Sequence, residues 1–169
     1  MGITNLTVKD TGALKVFRTL KMTISGGVHE EQGQDVHQNG PLTVVEVAEV
    51  NEFGSSVAHI PSRPWLRGWA DGPKAKKIVA AIRTAMQTMA KTQNYAPAEF
   101  EAITEQVMTS IRDQFLSGML RPFNAPLTLK KKAPETRPLV ETTQLAHAVH
   151  GRLEARDDSG AINWKSEAL

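Results

Sequence analysis

Cysteine is absent from the 169-residue chain, and aromatic residues make up only 5% of it. Without cysteine the chain has no disulfides, no thiolate metal ligands and no thiol chemistry, a composition that suits a reducing compartment. No apolar run approaches the roughly 18–20 residues of a membrane span, and the opening MGITNLTVKD lacks the apolar core of a signal peptide. We therefore expect a soluble, intracellular protein with no membrane partner.

The sequence has no strong charge excess and no catalytic motif. Its 20 Lys+Arg against 18 Asp+Glu permit contact with nucleic acid without demanding it. It contains no phosphate-binding glycine loop and no G-x-S-x-G elbow. His147 and His150, the only hydrolase candidates, lack a marked nucleophile, and His29 and His37 lack zinc-site spacing. We expect no enzyme activity, no cofactor and no metal.

Two long amphipathic helices are the clearest pattern that is present. One begins at Pro73, and the other runs from Pro97 to near Gly118. Two such helices in succession favour packing against a sheet. Their apolar positions recur at helical spacing, and they are Ile78, Ile82, Ala85 and Met89 in the first helix and Phe100, Ile103, Val107, Ile111 and Phe115 in the second.

Shorter elements complete an α+β layout. A helix is expected over 11–20, and another from the capping-box pair Thr43 and Glu46 to a left-handed cap at Gly54. Strands are expected over 22–28 and 148–155, with a helical turn around 142–145 and a short last strand or tail after 160. EQGQDVHQNG is polar and glycine-bearing, so we expect a loop over 31–40, either a hairpin tip or a mobile arm.

The most unusual segment is VNEFGSSVAHIPSRPWLRGWADG, here called the tryptophan stretch (residues 50–72). It is too apolar for a solvated loop, and its prolines and glycines break it too often for a regular helix or strand. Pro61 and Pro64 stiffen the chain, so that Arg63, Trp65 and Arg67 would dock at a low entropic cost. Because tryptophan and arginine dominate interface energetics, we expect a contact between subunits. The alternative is that Trp65 and Phe53 close the core of a monomer.

Two separated blocks carry the pattern of a known family. VAEVNEFG…IPSRPWLR is similar to Val-Ala-x-x-(Asn/His)-Glu-Phe-Gly followed by Ile-Pro-x-Arg-Pro-Phe-(Leu/Phe)-Arg. PLTLKKKAPETRPLVETTQLAHAV is similar to a proline–leucine start, lysines, and Pro-Leu-Ile-Asp-Thr-Gly-x-Leu-x-x-Ser-Ile. Over roughly residues 20–155 the chain thus resembles the tail-completion proteins of tailed phages, also called virion morphogenesis or head–tail joining neck proteins.

Two departures from the family pattern bear on structure. Trp65 stands where phenylalanine is usual, which keeps an aromatic residue at that position. Glu141-Thr142-Thr143 stands where Asp-Thr-Gly is typical. Threonine resists the positive φ that glycine adopts, so the geometry of this turn is in question.

The resemblance implies a fold, an assembly and a location. The fold would be a single α+β domain over 1–155, with a small antiparallel sheet packed against two long helices and a short one, extended loops or arms, and a strand or tail over 156–169. Such proteins form rings, commonly hexamers, at the head–tail interface of the virion after assembly in the bacterial cytoplasm. Their neighbours are the connector or adaptor and the tail terminator or tail tube, and the axial channel allows non-specific contact with the genome.

The same reasoning gives the candidate residues. Within the tryptophan stretch the expected interface comprises Asn51, Glu52, Phe53, Gly54, Arg63, Pro64, Trp65 and Arg67, with Glu52 and Arg63 as an ion pair. Lys130, Lys131 and Lys132 would face the DNA channel or a neighbouring ring. The alternative function is a small basic protein that binds nucleic acid without sequence specificity, using the lysines and tryptophans as its surface.

Overall fold

The computed structural model describes residues 5–6, 21–37, 40–92, 97–117, 120–124, 143–156 and 162–168. Helices and strands follow one another along the chain in an α+β arrangement, as predicted. The elements in chain order are β1 (Asn5–Leu6), β2 (Lys21–Val28), α1 (Glu30–Gly33), α2 (Val44–Phe53), α3 (Trp65–Ala70), α4 (Pro73–Thr92), α5 (Pro97–Leu116), α6 (Gln144–His147), β3 (Val149–Arg156) and β4 (Ile162–Ala168). The helix expected over 11–20 lies outside the described residues.

The sheet has four strands in the order β1-β2-β3-β4. β1 and β2 are antiparallel, with Asn5 opposite Thr23. β3 and β4 are antiparallel as well, with Leu153 opposite Ser166 and an irregularity between Ala155 and Arg156. The strands predicted over 22–28 and 148–155 are confirmed.

The chain divides into two compact units, each assembled from segments that are distant in sequence. The first contains residues 1–26, 74–108 and 150–169, and the second contains 27–73 and 109–149. Helix α5 contributes residues to both units. The single domain over 1–155 with a tail over 156–169 stays a prediction.

In the first unit the two long helices supply apolar side chains to the core. Three residues of the predicted α4 stripe are buried, namely Ile78, Ala85 and Met89, and α5 adds Phe100, Ile103 and Val107. Strand β3 approaches α5 closely at Gly151, where an added Cβ would lie 2.7 Å from the carbonyl oxygen of Thr104. The predicted packing of a sheet against the long helices is confirmed.

In the second unit α2 contacts α1, α3 and α6. The helix begins as predicted: Thr43 donates its backbone N–H to the Glu46 carboxylate at 2.7 Å, and its hydroxyl accepts from the Glu46 N–H at 3.3 Å. The Thr43 hydroxyl also donates to this carboxylate at 2.9 Å, and the backbone and hydroxyl bonds from Thr43 to the carboxylate lower the pKa of Glu46. The buried apolar residues of this unit include Val44, Ala48, Trp65, Trp69, Ile111, Phe115 and Leu145.

The loop expected over 31–40 is more ordered than its polarity indicated. Residues 30–33 form α1, and Val36 pairs with Thr43 in an isolated antiparallel bridge. The Gln144 side-chain amide donates to the Val36 carbonyl at 3.3 Å. The antiparallel bridge and the long-range hydrogen bond favour the hairpin tip over the mobile arm for the described part of this segment.

Candidate functional site

The tryptophan stretch starts with a sharp turn at the end of α2. Gly54 has φ 79, and a Cβ there would lie 2.8 Å from the Ser62 nitrogen, so only glycine fits. Its N–H donates to the Val50 carbonyl at 2.8 Å and closes the helix. The positive φ agrees with the prediction, but the ψ of 172 lies outside the left-handed helical region, so the predicted left-handed cap is wrong.

A short hairpin-like loop follows and returns the chain to α2. Ser55 and Ile60 exchange two backbone hydrogen bonds of 2.8 and 2.9 Å, and Val57 between them is 91% exposed. After the loop, the Ser62 hydroxyl donates to the Glu52 carbonyl at 2.7 Å. Residues 62–63 are thus hydrogen-bonded to the last turn of α2, and the loop 55–60 projects from this turn.

Helix α3 then forms where the proline and glycine content predicted no regular helix. Its first backbone N–H groups have no partner within the helix, and Pro64 at its N-cap position provides no side-chain cap. Glu52 fills this role from α2: its buried carboxylate accepts from the N–H groups of Leu66 at 2.9 Å and Arg67 at 3.1 Å. The six-residue helix is therefore stabilised by a residue more than ten positions away.

Glu52 forms its ion pair with Arg67, so the predicted pair of Glu52 with Arg63 is wrong. The Arg67 Nε donates to the Glu52 carboxylate at 2.8 Å, and Nη2 donates to the Glu52 carbonyl at 2.9 Å. The Arg67 guanidinium carbon also lies 5.2 Å from the Phe53 ring centroid, a cation–π distance. The helical turn of α3 brings Arg67, rather than Arg63, to the Glu52 carboxylate.

Arg63 is buried among neutral acceptors. Its Nε donates to the Pro122 carbonyl at 3.0 Å, and Nη1 donates to the Asn51 side-chain oxygen at 3.4 Å. The Asn51 amide is itself oriented by a 2.8 Å bond to the Val47 carbonyl. No carboxylate within the described ranges pairs with Arg63, and burial lowers the pKa of its guanidinium. Arg63 therefore joins α2 to the segment after α5 rather than offering its charge to solvent.

Both tryptophans of the stretch lie inside the second unit. Trp65 is 3% exposed, with its ring centroid 4.8 Å from that of Phe115 and its Nε1 donating to the Ala48 carbonyl at 3.2 Å. Trp69 is also buried and donates to the Ser110 hydroxyl at 2.9 Å. Trp65 thus closes a core, as the alternative interpretation had it, but that interpretation is wrong for Phe53, which is 57% exposed.

The predicted interface residues are split between the interior and the surface. Phe53 is 57% exposed, and Pro64 and Arg67 are exposed as well. These three are the expected interface residues whose side chains face solvent. The buried members are Asn51, Glu52, Arg63 and Trp65.

The second sequence block meets the first in this unit. Helix α6 is preceded by Thr143 at its N-cap position, whose φ of 55 and ψ of −3 lie in the left-handed helical region. The Arg112 Nη2 donates to the Val149 carbonyl at 2.9 Å and so holds α5 to the start of β3. Sequence reasoning missed Arg112 because nothing in its local pattern marks a long-range bond. Lys130, Lys131, Lys132 and the Glu141-Thr142 pair lie outside the described residues.

Within the described part of the chain, no group of three or more His, Asp or Glu residues is arranged to hold a metal ion. No helix in those ranges is long and apolar enough to cross a membrane. Comparisons of the chain with models of protein families, with curated proteins and with solved structures gave no match.

Proposed function

We propose that this chain is a structural virion protein that forms a ring, commonly a hexamer in such proteins, in the neck of a tailed bacteriophage or prophage. The ring completes the tail or joins it to the head, next to the connector and the tail terminator, and DNA passes through its channel. The protein carries out no catalysis. The proposal starts from the resemblance of two sequence blocks to neck proteins.

The observation that carries the proposal is the contact between those two blocks. Helix α2 holds the first half of the first block, α3 holds the end of its second half, and α6 holds the end of the second block. α2 contacts both α3 and α6. Two patterns separated by the whole of α4 and α5 thus belong to one structural cluster, as expected if they were matched to the family correctly.

The backbone at Thr143 supports the same match. The family pattern places glycine at this position, and glycine is the residue that adopts positive φ without strain. Thr143 has φ 55, which is rare for a β-branched residue. The chain therefore keeps the glycine-type conformation at the position where its residue departs from the pattern.

The residues of the first block also have separate structural tasks. The glutamate of Glu-Phe-Gly is Glu52, and the last arginine of the block is Arg67, its partner at 2.8 Å. The asparagine and the other arginine are Asn51 and Arg63, joined by a backbone hydrogen bond of 2.6 Å. This pairing supports one shared fold for the block and leaves Phe53 exposed beside Arg67 for contact with another subunit.

The test is the mass of the purified protein by light scattering, alone and after mixing with phage heads that bear connectors. We expect a closed ring, or stable capture by heads that makes them competent to join tails. Phe53→Ser should weaken ring formation or capture, while Leu42→Ser, which removes a 40% exposed side chain outside the tryptophan stretch, should not.

A different result would favour the alternative function. The neck proposal would be contradicted by a monomer that does not bind to phage heads and binds DNA with a steep salt dependence. The binding surface would then be sought among the exposed cations of the chain.

A further inference from the structure

We infer that the ring is closed by a head-to-tail contact in which the cationic face of α4 in one copy binds the acidic face of α5 in the next. The inference rests on the proposed ring and names the surfaces that form it. Such a contact needs two different, complementary patches on each subunit, and it closes into a ring when its rotation permits.

The first patch is the cationic face of α4. The helix carries five lysine and arginine residues and no aspartate or glutamate in its 20 residues. All five are exposed, whereas three of the four residues of the apolar stripe are buried. The cations of this face are Lys74, Lys76, Lys77, Arg83 and Lys91.

Three of these cations lie at the N-terminal end of α4, where the helix dipole makes positive charge unfavourable. Lys74, Lys76 and Lys77 lie in the first turns of α4, next to the positive end of the helix dipole. Glutamate or aspartate is the favourable choice there, and the first turn contains neither. A local choice that opposes helix stability is expected where the residues serve another purpose.

The second patch is the acidic face of α5 in the same unit. Residues 97–108 include Glu99, Glu101 and Glu105 and no lysine or arginine. All three glutamates are exposed, and none of them forms an ion pair within the described ranges. Exposed Ala98 and Ala102 lie between them, so a second helix can approach this face closely.

A second copy fits these faces better than DNA does. The whole chain has a formal net charge of only +2, so it has little excess of positive charge. The cations of α4 and the glutamates of residues 97–108 show instead that charges of opposite sign are segregated on two helices. A nucleic-acid surface profits from a general excess of cations, whereas here the same unit carries, on the next long helix, three exposed glutamates that form no ion pair within the described ranges. Segregated opposite charges on one subunit are the arrangement that head-to-tail association uses.

The test exchanges the charges of the two faces. One variant carries Lys76→Glu, Lys77→Glu and Arg83→Glu, and the other carries Glu99→Lys, Glu101→Lys and Glu105→Lys. We expect each variant alone to lose at least ten-fold in the amount of ring, measured by light scattering at low salt and as copies bound per connector-bearing head. Far-UV circular dichroism checks that each variant keeps its helices.

Restoration is the decisive measurement. In an equimolar mixture the two variants can alternate around a ring, so that every contact again joins faces of opposite charge. Rings with an even number of subunits should therefore reappear. A chain with all six changes should also assemble. Rising salt should weaken the wild-type ring, because these pairs are exposed.

The outcomes separate this inference from the proposed function. If the wild-type chain forms rings or loads onto heads and neither variant changes this, the inference is wrong and the neck proposal stands. If both variants fail to assemble, and neither their mixture nor the chain with all six substitutions forms rings, the head-to-tail pairing is likewise wrong. If the wild type neither assembles nor binds heads, both fail, and loss of DNA retention in the α4 variant alone would assign that face to nucleic acid.

Discussion

Trp65 and Phe53 belong to one stretch of the chain and lie in opposite surroundings. Trp65 packs on Phe115 in the interior, and Phe53 is more than half exposed beside Arg67. We expect Trp65→Ala to lower the free energy of unfolding by about 3–5 kcal/mol, because it opens a cavity and removes the donor to the Ala48 carbonyl. Phe53→Ala should lower it by less than about 1 kcal/mol. Urea denaturation measures both, and equal losses would contradict the assignment of one ring to the core.

Because Thr143 has a left-handed conformation, replacing it with glycine should increase the free energy of unfolding instead of lowering it. A β-branched residue in this region costs of order 1–3 kcal/mol, and glycine removes that strain while adding about 0.4–1 kcal/mol of chain entropy to the unfolded state. Thr143→Gly should therefore raise the free energy of unfolding by about 1 kcal/mol. Thr109→Gly, in the exposed face of α5, is the control and should lower it. A loss at both positions would show that Thr143 is not strained.

Among the secondary-structure elements, α3 depends most on a single distant residue. In Glu52→Gln only one of the two terminal atoms still accepts, so an NH2 donor faces either the Leu66 or the Arg67 N–H, and the ion pair is lost. We expect a loss of about 1–3 kcal/mol in the free energy of unfolding. Glu49→Gln changes an exposed glutamate of the same helix and should have almost no effect. If the two variants were equally stable in thermal melts, Glu52 would not be the cap of α3.

Strand β3 can lie this close to α5 only because residue 151 is glycine and has no side-chain methyl group. In Gly151→Ala the new Cβ would lie 2.7 Å from the Thr104 carbonyl oxygen, so strand and helix must separate. Overpacking of this kind costs about 1–3 kcal/mol. Gly40→Ala is the matched control, since no atom lies within 4 Å of its added Cβ. Calorimetry should find a lower melting temperature only for the variant in β3.

The long helices, the strands β2 and β3 and the start of α2 could be predicted from sequence, and the short helices α1 and α3 could not. Helix α5 was predicted because Phe100, Ile103, Val107, Ile111 and Phe115 repeat at helical spacing, and all five are buried. Helix α3 was missed because its cap comes from Glu52 in another helix, and local patterns do not contain that contact. The wrong partner for Glu52 has the same origin: Arg63 and Arg67 are both near in sequence, and only the turn of α3 selects between them.

For the molecule as a whole, the candidate site is both a structural cluster and a surface. Four residues of the candidate site are buried, so substitutions there test the fold; they are Asn51, Glu52, Arg63 and Trp65. Phe53 and the exposed part of Arg67 face solvent, as do the cations of α4 and the three glutamates of α5. Assembly should therefore be tested with surface variants whose unfolding curves match the wild type.

The two units are expected to unfold together, in keeping with the predicted single domain. The chain crosses between them four times, and one crossing, after Met108, lies inside α5, whose unfolding from one end affects the other because helix formation is cooperative. With Trp164→Phe, tryptophan fluorescence reports only Trp65 and Trp69 of the second unit, whereas circular dichroism also includes α4 of the first. We expect the two urea transitions to coincide in midpoint and slope. Separate midpoints would mean that each unit is stable without the other and that the chain contains two domains.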